Sequence, residues 1–149
     1  MSKTLELTKE LISKKSLTPD DAGCQSLLAN RLKDVGFNIE HLKFGEVDNL
    51  WATLGDSGPL FVFLGHTDVV PTGPIDEWHS DPFVATDNGK LLVGRGTADM
   101  KGSVAAFITS IEAFLEEKPS LIGRIGVLLT SDEEGPAKDG VCKVVEYLE

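Results

Sequence analysis

Cys24 and Cys142 are the only cysteines in the chain. They lie far apart, which suits neither a disulfide framework nor a cysteine-type zinc site, and both are expected to be buried thiols. Basic residues are also scarce: 14 Lys and Arg stand against 24 Asp and Glu, a formal net charge of −10. Such a field repels phosphate backbones and anionic lipid, so nucleic-acid and membrane-surface partners are disfavoured. Long hydrophobic runs are absent. The longest, Leu60–Leu64, is far too short to span a bilayer, and the first sixteen residues form an amphipathic, lysine-bearing pattern without an apolar signal core. A cytoplasmic chain is expected. There is no Gly-x-Ser-x-Gly elbow, no Gly-x-x-x-x-Gly-Lys phosphate loop and no His-Glu-x-x-His helix, which excludes three common catalytic designs.

What the sequence does contain is ordinary globular material: 149 residues, 41% of them hydrophobic, with 15 glycines. A complete domain of this length buries roughly 68–70% of its unfolded surface, so this is one folded unit or less. Val141–Glu149 is helical in pattern and stops without cap, glycine or polar tail, as expected of a piece of a longer protein.

The apolar spacing of Leu5, Leu7, Leu11 and Ile12 predicts a first helix. Thr18-Pro19-Asp20-Asp21 supplies an N-cap threonine, a first-turn proline and acidic residues for a second helix, which Gly36 ends. Phe37–Phe44 and Asn49–Leu54 read as short strands. Leu60–Leu64 reads as a strand covered on both faces, and Asn88-Gly89 marks a hairpin between Val84 and Val93. The clearest helix is Ser103–Glu117, with Val104, Phe107, Ile108, Ile111, Phe114 and Leu115 on one stripe. Ile125–Thr130 is a second buried-strand candidate. A strand, a helical crossover and another strand predict a parallel pair, and in α/β sheets ligands gather where such strands end.

Both strands run straight into charge. His66 and Asp68 are spaced so that, in extended backbone, their side chains point the same way. A ligating imidazole commonly gives its other N–H to a carboxylate, though a hydrogen-bonded turn before Pro71 would also suit these residues. Asp99, set among Gly94, Gly96 and Gly102, is either a ligand or a helix cap. Glu133 and Glu134 follow an apolar run. Two adjacent carboxylates near a core are costly unless a cation or proton compensates them, or unless the strand has reached solvent. One sheet edge would gather all three clusters. A histidine with Asp and Glu suits Zn²⁺ or a similar divalent ion. With two ions Asp99 is best placed to bridge, and the spare Glu is available as general base. His41 and His79 lack such surroundings and are expected on the surface.

The strings GHTDVVP (65–71), GRGTADMKG (94–102) and TSDEEGPAKDG (130–140) resemble the metal-binding motifs of the M20 family of dizinc aminoacylases and exopeptidases. SLTPDDAGCQ (16–25) and FGEVDNLWATLG (44–55) extend the likeness over essentially the whole chain, toward members that remove a succinyl group from a diamino acid. The resemblance implies an α/β fold: the N-terminal part (1–149) of a zinc-exopeptidase-like catalytic domain, a mixed sheet flanked by helices. It makes His66 and Glu134 ligands of separate zinc ions, Asp99 the carboxylate bridging both, Asp68 the residue that orients His66, and Glu133 the general base. It also implies two Zn²⁺ per subunit, with Co²⁺ able to replace them, a small-molecule amide substrate, and a homodimer formed through a lid domain. The lid, the remaining ligands and the second half of the catalytic domain would lie beyond Glu149, so little or no turnover is expected of these 149 residues alone. The alternatives are a related deacylase of acylated amino acids and a non-catalytic metal-binding fragment.

Overall fold

The computed structural model describes residues 2–117 and 119–149. Its elements in chain order are α1 (Lys3–Ser13), α2 (Cys24–Asp34), β1 (Asn38–Phe44), β2 (Val47–Leu54), β3 (Leu60–His66), β4 (Thr86–Asp87), β5 (Leu92–Val93), α3 (Gly102–Glu116), β6 (Arg124–Thr130) and α4 (Val141–Leu148). The main sheet runs β1-β2-β6-β3. β1 and β2 pair antiparallel, as do β2 and β6, whereas β3 and β6 are parallel, with Leu60 opposite Arg124 and His66 opposite Thr130. The expected α/β class, mixed sheet and parallel pair are therefore present.

Alternation along the strands sorts side chains into two layers. Leu50, Ala52, Val127 and Leu129 face the larger core with Leu7 and Leu11 of α1, Leu28 and Leu32 of α2, and Val104, Ile108 and Ile111 of α3. Trp51 and Leu128 face the other way, where Val144 of α4 packs on them. Gly126 makes room for the indole: a Cβ there would lie 2.7 Å from Trp51 Cη2.

Local chemistry explains the start of α1 and the end of α2. Ser2 caps α1 by accepting from the Leu5 N–H. After α2, Gly36 N–H donates to Lys33 O and Phe37 N–H to Leu32 O, the paired bonds of a Schellman ending around a glycine at φ +98°.

Four expectations need correction. α2 starts at Cys24, not at Thr18, and its first turn is capped from Asp21, whose Oδ2 accepts from the Gln25 N–H at 2.9 Å. The Thr18 hydroxyl instead donates to Asp68 Oδ2. β3 is not covered on both faces. It is the edge strand of this sheet, and Val62 and Leu64, on the face shared with Leu128, are 39% and 51% exposed because α4 packs over the β1, β2 and β6 side of that face. Of the thiols, Cys24 is buried but Cys142 is exposed, since α4 turns Val144 rather than Cys142 inward. The Asn88-Gly89 hairpin forms, yet its strands shrink to residue pairs, Thr86–Asp87 with Leu92–Val93. His41 and His79 lie on the surface as expected.

Candidate metal centre

Parallel pairing of β3 with β6 ends at His66 opposite Thr130, and the Thr67 N–H continues the ladder to Thr130 O at 2.9 Å. The residues that follow each strand therefore emerge side by side. His66, Thr67 and Asp68 are buried on one side, and Thr130, Ser131 and Asp132 on the other. Beyond them Glu133 and Glu134 turn back toward His66, and one ligand atom from each of these three residues lies within 4.8 Å of the others.

The imidazole has a defined orientation. Its Nδ1 lies 3.0 Å from the main-chain carbonyl of Asp68, which can only accept, so Nδ1 carries the proton. In the neutral ring Nε2 then bears a lone pair. Yet Nε2 faces Asp99 Oδ1 at 3.0 Å and Glu133 Oε2 at 3.7 Å. A lone pair aimed at carboxylate oxygens is repulsive unless a proton or a cation sits between them.

Asp68 is wholly buried, and its carboxylate is engaged elsewhere. Oδ1 accepts from the Glu133 N–H at 3.3 Å; Oδ2 accepts from the Glu134 N–H at 3.1 Å and from the Thr18 hydroxyl. Its nearer oxygen is 3.6 Å from His66 Nδ1, beyond hydrogen-bond range. Within this geometry the main chain of Asp68 holds the imidazole, and its side chain holds the backbone of the glutamate pair.

Asp99 comes from the segment Thr97–Lys101, which coils into α3 but leaves Asp99 (φ −130°, ψ 95°) and Met100 (φ −131°, ψ 26°) non-helical. That break turns the Asp99 carboxylate outward, 75% exposed, with His66 at its tip. Met100 Sδ accepts from the His66 N–H at 3.3 Å. Burial raises the pKa of Glu134 above the ordinary carboxylate value, and the charge of Asp99 pushes the same way. A cavity of about 210 Å³ opens beside these residues, lined by Val70, Arg95, Thr97, Asp99 and Glu134 among others.

His66, Asp68, Asp99, Glu133 and Glu134 thus converge from three distant stretches of chain. Sequence reasoning missed the residues behind them. The Thr67 hydroxyl donates to Asp21 Oδ1 at 2.6 Å, and Ser131 Oγ donates to Pro19 O while accepting from the Asp48 N–H. Asp132 Oδ2 accepts from the backbone N–H groups of Lys138 and Asp139, closing the loop after the glutamates. Lys101 is buried, and desolvation lowers its pKa. Only Lys101 carried a sequence signal: a cation at the start of an apolar helix sits where the helix dipole disfavours it.

The donor set fits a divalent ion. One imidazole nitrogen with its tautomer locked, and three carboxylates crowded around it, are the nitrogen and oxygen ligands that zinc-class ions select. A cation there removes both the lone-pair conflict at Nε2 and the repulsion felt by Glu134.

Comparison with known proteins agrees with this chemistry. The profile of peptidase family M20/M25/M40 matches residues 62–149. Succinyl-diaminopimelate desuccinylase of Methylobacillus flagellatus is 61% identical over 148 residues, covering 99% of this chain and 40% of the relative. The enzyme of that name from Coxiella burnetii is 53% identical over 149 residues, again covering 40% of the relative. This chain thus spans about 40% of the length of the curated relatives it matches. Among solved structures, human carnosine dipeptidase 1 superposes with a TM-score of 0.85 at 24% identity, over 97% of this chain and 34% of that one. The M20 family metallo-carboxypeptidase Sso-CP2 of Sulfolobus solfataricus superposes at 0.79 with 25% identity, over 90% and 32%.

Proposed function

This chain belongs to peptidase family M20/M25/M40, and on that premise we propose that it is the metal-binding N-terminal part of a dimetal amidohydrolase. The protein it belongs to hydrolyses N-succinyl-LL-2,6-diaminopimelate to succinate and LL-2,6-diaminopimelate, a step of bacterial lysine and cell-wall precursor synthesis, in the cytoplasm. The substrate follows from curated relatives of that name at 53–61% identity. The observation that carries the chemistry is the approach of Asp99 and Glu133 to Nε2 of His66, at 3.0 and 3.7 Å.

His66 and Glu134 would each hold one ion and Asp99 would bridge, with Zn²⁺ the resident metal and Co²⁺ a workable substitute. Bound, the ions would supply Lewis acidity at the amide carbonyl and acidify water. The residues of this chain do the rest. Glu133, with its side chain 58% exposed and its Oε2 3.7 Å from His66 Nε2, is the base that takes a proton from the attacking water and delivers it to the leaving amine. Asp68 is a positioning residue that fixes the Glu133–Glu134 backbone, and the Nδ1–carbonyl bond keeps Nε2 of His66 free to ligate. The remaining ligands, the lid and a dimer contact belong to the longer protein.

The test is turnover of succinylated against acetylated diamino acids by the full-length protein, with metal content measured in parallel. Preference for the succinyl amide, abolished by chelation and restored by Zn²⁺, is expected. Equal or better turnover of acetyl amides would assign the protein to a related deacylase, and activity unaffected by chelation would remove the metal.

A further inference from the structure

We propose that Lys101 is the positioning residue that sets Asp99 against His66, by riveting the Asp99 segment to the end of α1. The inference rests on the metal-site reading above. Lys101 is 1% exposed, among the largest fully buried side chains in the protein. Its Nζ donates to Leu11 O and to Lys14 O, both at 2.8 Å, as a second donor to carbonyls at the end of α1 that also accept from the Lys14 and Ser16 N–H groups. No carboxylate forms an ion pair with it among the described residues. The ammonium is therefore desolvated and without a carboxylate counter-ion, reaching back from the start of α3 to the carbonyl end of α1. A methionine would fill similar volume at none of that cost. What the lysine adds is a two-point bond between separate pieces of chain.

That bond matters because Asp99 has little else to hold it. Its carboxylate is largely exposed, and its ring contact with His66 is the one it must be placed to make. Its position is thus inherited from the backbone of residues 97–102. That backbone is tied by the Lys101 N–H to Gly96 O at 2.9 Å and by Thr97 to Gly94 O, and it is anchored to the rest of the protein two residues after Asp99 by the buried ammonium. Because Asp99 and Met100 are non-helical, α3 cannot set Asp99 by helical continuity alone. Without the rivet the loop can slide along α1 and carry Asp99 away from Nε2.

The test uses Lys101→Met, Asp99→Ala and the double variant, with Lys101→Gln as a milder change that keeps one amide donor for the same carbonyls. Far-UV circular dichroism establishes that each is folded. In metal-free protein, the His66 ring nitrogen resonances should move in Lys101→Met in the direction they move in Asp99→Ala. Divalent-ion affinity should fall at least ten-fold, and the visible spectrum of bound Co²⁺ should change toward that of Asp99→Ala. In the Asp99→Ala background the lysine substitution should cost no further affinity. Lys101→Gln should lie between wild type and Lys101→Met. If Lys101→Met unfolds the protein, the resonance and affinity shifts of Lys101→Gln decide. Unshifted His66 resonances, an unchanged cobalt spectrum, or affinity losses that simply add in the double variant would overturn the role of Lys101. A wild-type protein that binds no divalent ion would instead overturn the functional reading, and the metal-free resonances would still judge Lys101.

Discussion

Replacing Asp68 with asparagine tests which part of that residue organises the site. The carboxylate is wholly buried and its oxygens serve different donors: Oδ1 takes the Glu133 N–H, and Oδ2 takes the Glu134 N–H and the Thr18 hydroxyl. The hydroxyl can rotate to accept, but a backbone N–H cannot. Either orientation of the asparagine amide therefore points an NH₂ group at one of the two glutamate N–H groups. The loss is one hydrogen bond to a charged acceptor, about 1.5–3 kcal/mol, plus an unpaired donor at about 1–3 kcal/mol. Removing the charge eases repulsion on Glu134 and offsets part of this, leaving a net cost of about 2–4 kcal/mol. With a urea slope of about 2 kcal/mol per molar, the unfolding midpoint should fall by about 1–2 M, measured in chelator so that no ion contributes. If the side chain worked instead by orienting the imidazole, the cost would vanish in a His66→Ala background. We expect it to persist there, because the glutamate N–H groups are still present. A midpoint unchanged by Asp68→Asn, or a penalty that disappears with the imidazole, would refute the assignment.

In the full-length protein Glu133→Gln should abolish turnover while metal content stays at the wild-type level, because the base is lost and the ligands remain; measurable activity would remove Glu133 from the mechanism. Native protein should present one thiol, Cys142, to an exposed-thiol reagent, and the second should react only after denaturation. Burial pushes the Cys24 thiol up from 9.0 to about 11, so the folded chain keeps a proton that the unfolded chain gives up between those values. Stability must then fall as pH rises through that window: relative to Cys24→Ala, wild type should lose on the order of 1 kcal/mol between pH 8 and pH 10, read by urea unfolding at both. Gly126→Ala should cost about 1–3 kcal/mol by forcing Trp51 out of place, with the indole fluorescence reporting the shift and Tm the loss.

The elements themselves were readable wherever a local rule governs them. The stripe of α3, the glycine after α2 and the short apolar strands each depend on residues within a few positions. The errors occurred where a local rule met a distant competitor. Thr18-Pro19-Asp20-Asp21 has the composition of a helix start, but the hydroxyl of Thr18 finds a buried carboxylate in Asp68 and Asp21 caps a helix that begins later. Leu60–Leu64 has the apolarity of a central strand, yet its place at the sheet edge leaves Phe61 and Leu64 open. Cys142 has the composition of a core residue and is exposed by the phase of α4.

The amino-acid order alone singled out the groups that converge at one place, because imidazole and carboxylate at the ends of apolar strands stand out and sheet physics predicts where such ends meet. Only the tertiary structure decided how those groups are held. Hydrogen bonds between Asp68 and the glutamate backbone, between the His66 ring and a main-chain carbonyl, and between Lys101 and the end of α1 join residues two to ninety positions apart. Main-chain donors and acceptors are the same at every residue, so no pattern of side chains announces which of them will be used.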